Sequence, residues 1–301
     1  MAVTAVLLVL DLGALVWVSR KIRRGENSLH RREARPVILP AAETETKEHQ
    51  PMKAPVPGPV KVGNLHQIGA RPYQEDCSGF NRLRDGVLAI VADGMGGLES
   101  SEKVSQKIVY TMLGYSQKLG PGQMDGVLGR MILSVSDEVD RMLGPEGRAK
   151  SGSTVVTALI RQGCFHWATV GDSHVYLYRN GKLLQLNQEH NRGQDMLVKA
   201  AREGLSFDEV RREKKKSGLT SFLGMGRLRH LEQSLRSIPL QGGDRIVLST
   251  DGVFDVLSDA AIAEVMRRNP DVQQAADQLG RQVAACRNPR QDNYTAIILG
   301  V

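Results

Sequence analysis

Cysteine is scarce in this chain: three in 301 residues, at Cys77, Cys164 and Cys286. They are far apart, odd in number and never in a Cys-x-x-Cys spacing. The sequence therefore carries no disulfide framework and no zinc signature, and it fits a reducing compartment. No cysteine sits in a Gly-rich context with a basic neighbour, so chemistry through a thiolate nucleophile has no support. Aromatic residues are also few, 4% of the chain, although the net charge is +7. That charge invites a nucleic-acid partner, but without aromatics there are few platforms on which bases could stack. The basic residues have simpler explanations. Arg20-Lys21, Arg23-Arg24, Arg31-Arg32 and Arg35 follow a hydrophobic N-terminus, and Arg211-Arg212 with Lys214-Lys215-Lys216 lie in a polar stretch. No nucleic-acid partner is expected.

Long apolar runs are nearly absent too, with one exception at residues 2–18, broken only by Thr4, Asp11 and Gly13. A spanning helix needs about 20 such residues. Arg20, Lys21, Arg23 and Arg24 follow the run, and no Lys or Arg precedes it. A secretory signal peptide has the opposite charge order. By the positive-inside rule the basic side stays in the cytoplasm. Residues 1–24 are therefore expected to be a single-pass membrane anchor with its basic flank, and the rest of the chain to be cytoplasmic. Asp11 opposes this, since a carboxylate at mid-membrane costs about 2.5–3.5 kcal/mol on insertion scales. Residues 25–60 read as a disordered linker, with Pro51, Pro55, Pro57 and Pro59 favouring an extended chain. A folded domain is expected over 61–301.

Within that domain short apolar runs alternate with turn signals. Strands are expected at 86–91, 154–161, 164–170, 175–179, 183–186, 245–249 and 295–299, and helices at 101–119, 124–142, 259–268 and 272–285. Asn180-Gly181 is the strongest short hairpin signal in the chain. Residues 190–230 are polar, basic and weakly periodic. Hairpin-linked strands with helices inserted in pairs predict an α+β sandwich of antiparallel sheets rather than a parallel doubly wound sheet.

The stretch Val91-Ala92-Asp93-Gly94-Met95-Gly96-Gly97 organises the rest. It reads as a buried strand ending in a permissive loop with a carboxylate at its tip. Three further segments place an acid where a strand could meet a loop: Arg71-Pro72-Tyr73-Gln74-Glu75-Asp76, Ser249-Thr250-Asp251-Gly252 and Gln291-Asp292-Asn293. One such acid alone is an ordinary turn residue or helix cap. Several together suit hard divalent cations, which take oxygen ligands. Two such ions about 3.5–4 Å apart can clamp an in-line phosphoryl displacement. Arg71 is the natural phosphate holder, because guanidinium donors match phosphate oxygens in a fork.

These segments resemble the metal-dependent serine/threonine phosphatases of the protein phosphatase 2C (PPM) family, in its bacterial form. Ser151-Gly152-Ser153-Thr154, Val170-Gly171-Asp172-Ser173-His174-Val175-Tyr176, Glu189-His190-Asn191, Leu223-Gly224, Leu248 to Val253 and Asp292 to Thr295 complete an ordered set over roughly 62–301. Each motif alone is weak; the ordered set is specific. The resemblance implies a four-layer αββα sandwich of two antiparallel sheets flanked by helices. It implies Asp93, Asp251 and Asp292 as direct ligands of two Mn²⁺ or Mg²⁺ ions, joined by the carbonyl of Gly94. Glu75 and Asp76 would act close by, at least one of them through metal-bound water, and Arg71 would hold the substrate phosphate. Asp172, with Asp251, matches the position of a third metal. The reaction implied is attack of a metal-bridged hydroxide on phosphoserine or phosphothreonine. Its partners would be phosphorylated proteins and a Ser/Thr protein kinase. The stretch 191–230 matches a variable flap beside the site.

Two positions depart from the family pattern. Gln74 stands where Asn is common before the Glu-Asp pair, and Leu98 where bacterial members often carry His. Neither touches an implied metal ligand. The alternative function is a non-catalytic, membrane-tethered scaffold that keeps the fold and binds phosphoproteins or a kinase.

Overall fold

Which strands pair in this chain is decided by which of their faces must be buried. The computed structural model describes residues 59–96, 99–204, 206 and 217–301. The expected anchor at 1–24, nearly all of the expected linker, Leu98 and Lys214-Lys215-Lys216 lie outside the described residues. Among those described, no helix is long and apolar enough to cross a membrane. The elements run in order β1 (Lys61–Gln67), β2 (Cys77–Leu83), β3 (Gly86–Ala92), β4 (Gly94–Met95), α1 (Glu99–Ser116) and α2 (Val127–Gly147). There follow β5 (Gly152–Ser153), β6 (Val155–Arg161), β7 (Cys164–Val170), β8 (His174–Arg179), β9 (Lys182–Gln185) and α3 (Arg192–Glu203). The chain closes through β10 (Glu232–Gln233), β11 (Ile238–Pro239), β12 (Arg245–Ser249), α4 (Asp251–Phe254), α5 (Asp259–Arg268), α6 (Val272–Ala285) and β13 (Tyr294–Gly300).

Two large antiparallel sheets and a small two-stranded one, β4-β5, result among the described residues. One large sheet has the order β1-β13-β12-β8-β9; the other has β10-β7-β6-β3-β2, with β11 also on β7. In β3, Leu88, Ile90 and Ala92 face one way, toward Ile108 and Met112 of α1 and Ile132 and Val135 of α2. Val87, Ala89 and Val91 face the other way, toward Ile297 and Leu299 of β13 and Ile246 and Leu248 of β12. On the far side of the first sheet, Val247, Ala296 and Ile298 meet Ile262 and Val265 of α5 and Ala276, Leu279 and Val283 of α6. The layers are thus helix, sheet, sheet, helix. Period-2 alternation places every second side chain in the inter-sheet layer and the rest against helices. Strands such as β3 and β6 are buried on both faces and read as nearly continuous apolar runs.

Local chemistry fixes several boundaries. At the β8–β9 hairpin Asn180 (φ 52°) and Gly181 (φ 78°) both take positive φ, the twist that matches the flanking strands. Ser258 caps α5 by accepting from Ala261 N, and Asp271 caps α6 by accepting from Gln273 N and Gln274 N. Helix α2 is interrupted at Gly144 (φ 64°), just before Pro145, two residues past the interval that periodicity marks out. The polar stretch after residue 190 holds a helix that was not expected there: α3, begun by the Asn191 side chain, which accepts from Gln194 N. Its apolar content is too low to announce it, since Ala200 is the one buried residue in it.

Candidate active site

All the acids singled out from the sequence come to one end of the sandwich. Asp93 directly follows β3, and Asp76 precedes β2, whose first residue Cys77 pairs with Ala92. Asp172 follows β7, whose last residue Val170 pairs with Val155 at the start of β6. In the other sheet Ser249 of β12 pairs with His174 and Ala296, so Asp251, Asp172 and Asp292 share that end. Asp251 opens the short helix α4 rather than a loop, and its charge helps to raise the Asp93 carboxyl.

A dense polar lattice holds this end rigid. Thr250 Oγ1 donates to Asp76 Oδ2 at 3.0 Å. Gly94 N donates to the Glu75 carbonyl at 3.1 Å, and Ser105 Oγ donates to the same oxygen at 2.6 Å. Ser101 Oγ donates to the Glu75 carboxylate. A Cβ at position 94 would lie 2.5 Å from the Glu75 carbonyl, so only glycine lets the two segments meet. Thr154 Oγ1 bridges the Asp93 N–H at 3.2 Å and Ser173 Oγ at 2.8 Å. Gln74, the first departure, accepts from Asp76 N at 3.2 Å, so the longer amide still closes this turn.

Sequence reasoning gave Asn293 no role of its own, yet it is the hub of the lattice. Its Oδ1 accepts from Glu75 N at 2.7 Å, and its Nδ2 donates to the carbonyls of Ile68 (2.8 Å) and Tyr73 (3.0 Å). The loop carrying Arg71, Glu75 and Asp76 is thereby fastened to Asp292. The available signal was an Asn inside an acidic motif, where a buried amide must satisfy donor and acceptor together.

The electrostatics are lopsided. Burial, reinforced by Asp251 and Asp292 and opposed by hydrogen bonds from Thr295 and Thr250, pushes the Asp76 carboxyl up to about 7. Burial, Asp251 and Glu189 push Asp172 up to about 7. Burial, Asp292 and Asp255 push Asp251 up to about 6. Asp93 is raised well above the ordinary range by burial and four neighbouring Asp residues. Among the described residues, the one ion pair to any of these five acids is Arg71 to Asp292, at 2.5 Å and open to solvent. Arg71 therefore stands at the rim, bonded to one of the implied metal ligands. Gln291 Oε1, next in sequence to Asp292, is a buried acceptor without a protein donor.

Such a set fits divalent cations. The donors are all oxygen, the charge is negative and poorly countered, and protons must otherwise occupy these carboxyls. Among the described residues no three His, Cys, Asp or Glu side chains already form a closed metal cage. The fit accordingly rests on donor chemistry and charge. A cavity of about 560 Å³ opens beside the cluster, lined by Asp172, Asp251, Phe254 and Asp255 and walled by Gln194 and Leu197 of α3. Part of the expected flap therefore borders the acids.

The family model for Protein phosphatase 2C matches residues 62–287. The chain belongs to the protein phosphatase 2C family. It is 26% identical over 214 residues to the serine/threonine phosphatase stp of Listeria innocua, covering 69% of this chain and 82% of that one. The crystal structure of the Mycobacterium tuberculosis serine/threonine phosphatase PstP/Ppp superposes with a TM-score of 0.67 at 24% identity, covering 80% of this chain and 98% of that one. The catalytic domain of PstP in complex with two manganese ions superposes with a TM-score of 0.65 at 22% identity, over 80% and 97% of the two chains. This member of the protein phosphatase 2C family is a metal-dependent serine/threonine protein phosphatase of bacterial type.

Proposed function

We propose that Asp76, Asp93, Gly94, Asp172, Asp251 and Asp292 hold the metal of this phosphatase as two Mn²⁺ or Mg²⁺ ions, with a third possible through Asp172 and Asp251. The observation that carries this is the cluster of acids at one end of the sandwich, four of them with raised carboxyl pKa values and with Arg71 as the countercharge on Asp292. The structural relative with two manganese ions supports the count. Bound there, the cations would neutralise the phosphate and make a water acidic enough to attack phosphorus at neutral pH. The chain's own groups then have distinct tasks. Arg71, at the rim, receives the phosphate oxygens in its fork and orients them for in-line displacement. Glu75, pinned through its backbone by Asn293, Gly94 and Ser105, presents a fixed carboxylate that orients water. Asp76 is positioned through its own carboxylate, which accepts from Thr250 Oγ1.

The substrates proposed are proteins phosphorylated on serine or threonine by a partner Ser/Thr protein kinase. The apolar run at 2–18 and the basic residues after it support a single-pass anchor with the catalytic domain on the cytoplasmic side. Equilibrium Mn²⁺ binding to the native protein and to Asp93→Asn tests the ligand assignment. The variant should lose at least one high-affinity ion while staying folded. Unchanged stoichiometry and affinity would remove Asp93 from the ligand set.

A further inference from the structure

The loop that carries Asp172 is held by a group with no assigned role. Gly171 has φ 108°, and a Cβ there would lie 2.6 Å from the Thr154 side chain, so the loop is pressed against its neighbour. On its other side lies His190, buried to 7% exposure. The two residues exchange hydrogen bonds: His190 N donates to Gly171 O at 2.9 Å, and Gly171 N donates to His190 Nδ1 at 3.1 Å. Both peptide groups that flank Gly171 in hydrogen-bonding terms are thus satisfied by one residue. Because Nδ1 accepts, the ring is neutral and carries its proton on Nε2. Burial, and then the nearby His230, push its pKa down to about 4, so this state persists at neutral pH.

His190 is tied outward as well. Its carbonyl accepts from Thr220 N at 2.8 Å, and Arg192 N donates to Gly218 O at 2.9 Å. Asn191 caps α3 through Gln194 N at 2.9 Å. The tripeptide Glu189-His190-Asn191 therefore connects α3 and the 218–220 segment to the residue preceding Asp172.

We propose that His190 is a positioning residue for the phosphatase reaction: through its Nδ1 acceptor it fixes the Val170–Gly171 peptide, and with it the Gly171 turn, so that the Asp172 carboxylate faces the cation site. This rests on the metal role proposed for Asp172. A buried histidine that only satisfied its own polar atoms would leave metal binding untouched, and that difference is measurable.

The experiment is a Mn²⁺ titration of the full-length protein, with free Mn²⁺ followed by electron paramagnetic resonance, for the native chain, His190→Ala, His190→Asn and Asp172→Ala. Outer partners of metal ligands typically change affinity about 10–100-fold. His190→Ala should therefore weaken the weakest class of Mn²⁺ sites about tenfold or more, and Asp172→Ala should weaken the same class. Asn places an acceptor oxygen where Nδ1 stands, so His190→Asn should bind within about threefold of native. If His190→Ala does not fold, His190→Gln replaces it, because its acceptor lies one bond farther out and should fail as the alanine does. Native binding by His190→Ala or His190→Gln, with loss in Asp172→Ala, overturns the positioning role alone. Native binding by Asp172→Ala overturns the metal role of Asp172, and the inference falls with it.

Discussion

Single side chains in this protein are strained by their charge rather than by their shape. The metal-free protein holds protons on Asp76 and Asp172 up to about pH 7, whereas the unfolded chain releases them near the ordinary 3.8. Their contribution to stability is complete below about pH 4 and is lost as pH rises through about 7. The Tm of EDTA-treated protein should accordingly fall between pH 5 and pH 8, and Mn²⁺ should raise Tm more at pH 8 than at pH 5. Asp172→Asn should reduce the fall while weakening Mn²⁺ binding. A metal-free Tm that rises across this range would contradict the account. Arg71 offers a second test. Hydrogen bonds to charged groups are worth about 1.5–3 kcal/mol, so Arg71→Ala should lower kcat/KM roughly 10–100-fold at an unchanged Mn²⁺ requirement. Lys should recover it only in part, lacking the fork. The acids were legible because each sits where a strand could meet a loop, with Asp93, Asp172 and Asp251 beside a glycine. Asn293 and His190 were not, because what they do depends on partners more than a hundred residues away or in another loop.

Elements with strong periodicity or caps were readable to the residue. Helix α5 at Asp259–Arg268 and helix α6 at Val272–Ala285 coincide with the intervals that spacing predicts, as does β12 at Arg245–Ser249. Helix α3 was hidden because its apolar content is low, although Asn191 and Gly204 are ordinary start and stop residues. Strands β1 and β2 were hidden for a different reason. Their exposed polar positions break the apolar runs, and their pairing with β13 and β3 supplies what the local sequence lacks. Two substitutions separate packing from chemistry at this scale. Ile108→Ala removes a fully buried side chain between α1 and the second sheet and should cost about 2–5 kcal/mol in denaturant unfolding. Asp271→Ala removes the α6 cap and should cost about 1 kcal/mol. Folded Asp271→Ala should keep native kcat, since α6 lies on the outer face of the sandwich. A large loss of kcat there would show that the outer helix is coupled to the acids.

At the scale of the whole molecule, class was legible and strand order was not. Alternation and hairpin signals gave antiparallel sheets with paired helices. Nothing local marks Lys61 as the partner of Gly300 or brings β12 between β8 and β13. Those pairings are chosen by which faces must be buried, and they carry acids from distant segments to one end. The N-terminal proposal is tested by fractionation. The full chain should sediment with membranes, resist high salt and dissolve in detergent, whereas a chain lacking residues 1–24 should stay in solution. Release of the full chain by salt alone would contradict an anchor. The most direct test of the central claim is hydrolysis of a phosphothreonine peptide by the full-length protein with Mn²⁺, with EDTA, and with Asp251→Asn. The account predicts phosphate release that requires Mn²⁺, stops in EDTA and falls by two orders of magnitude or more, on the order of 3 kcal/mol, in the variant. Hydrolysis that persists in EDTA, or an Asp251→Asn protein as active as native, would contradict it.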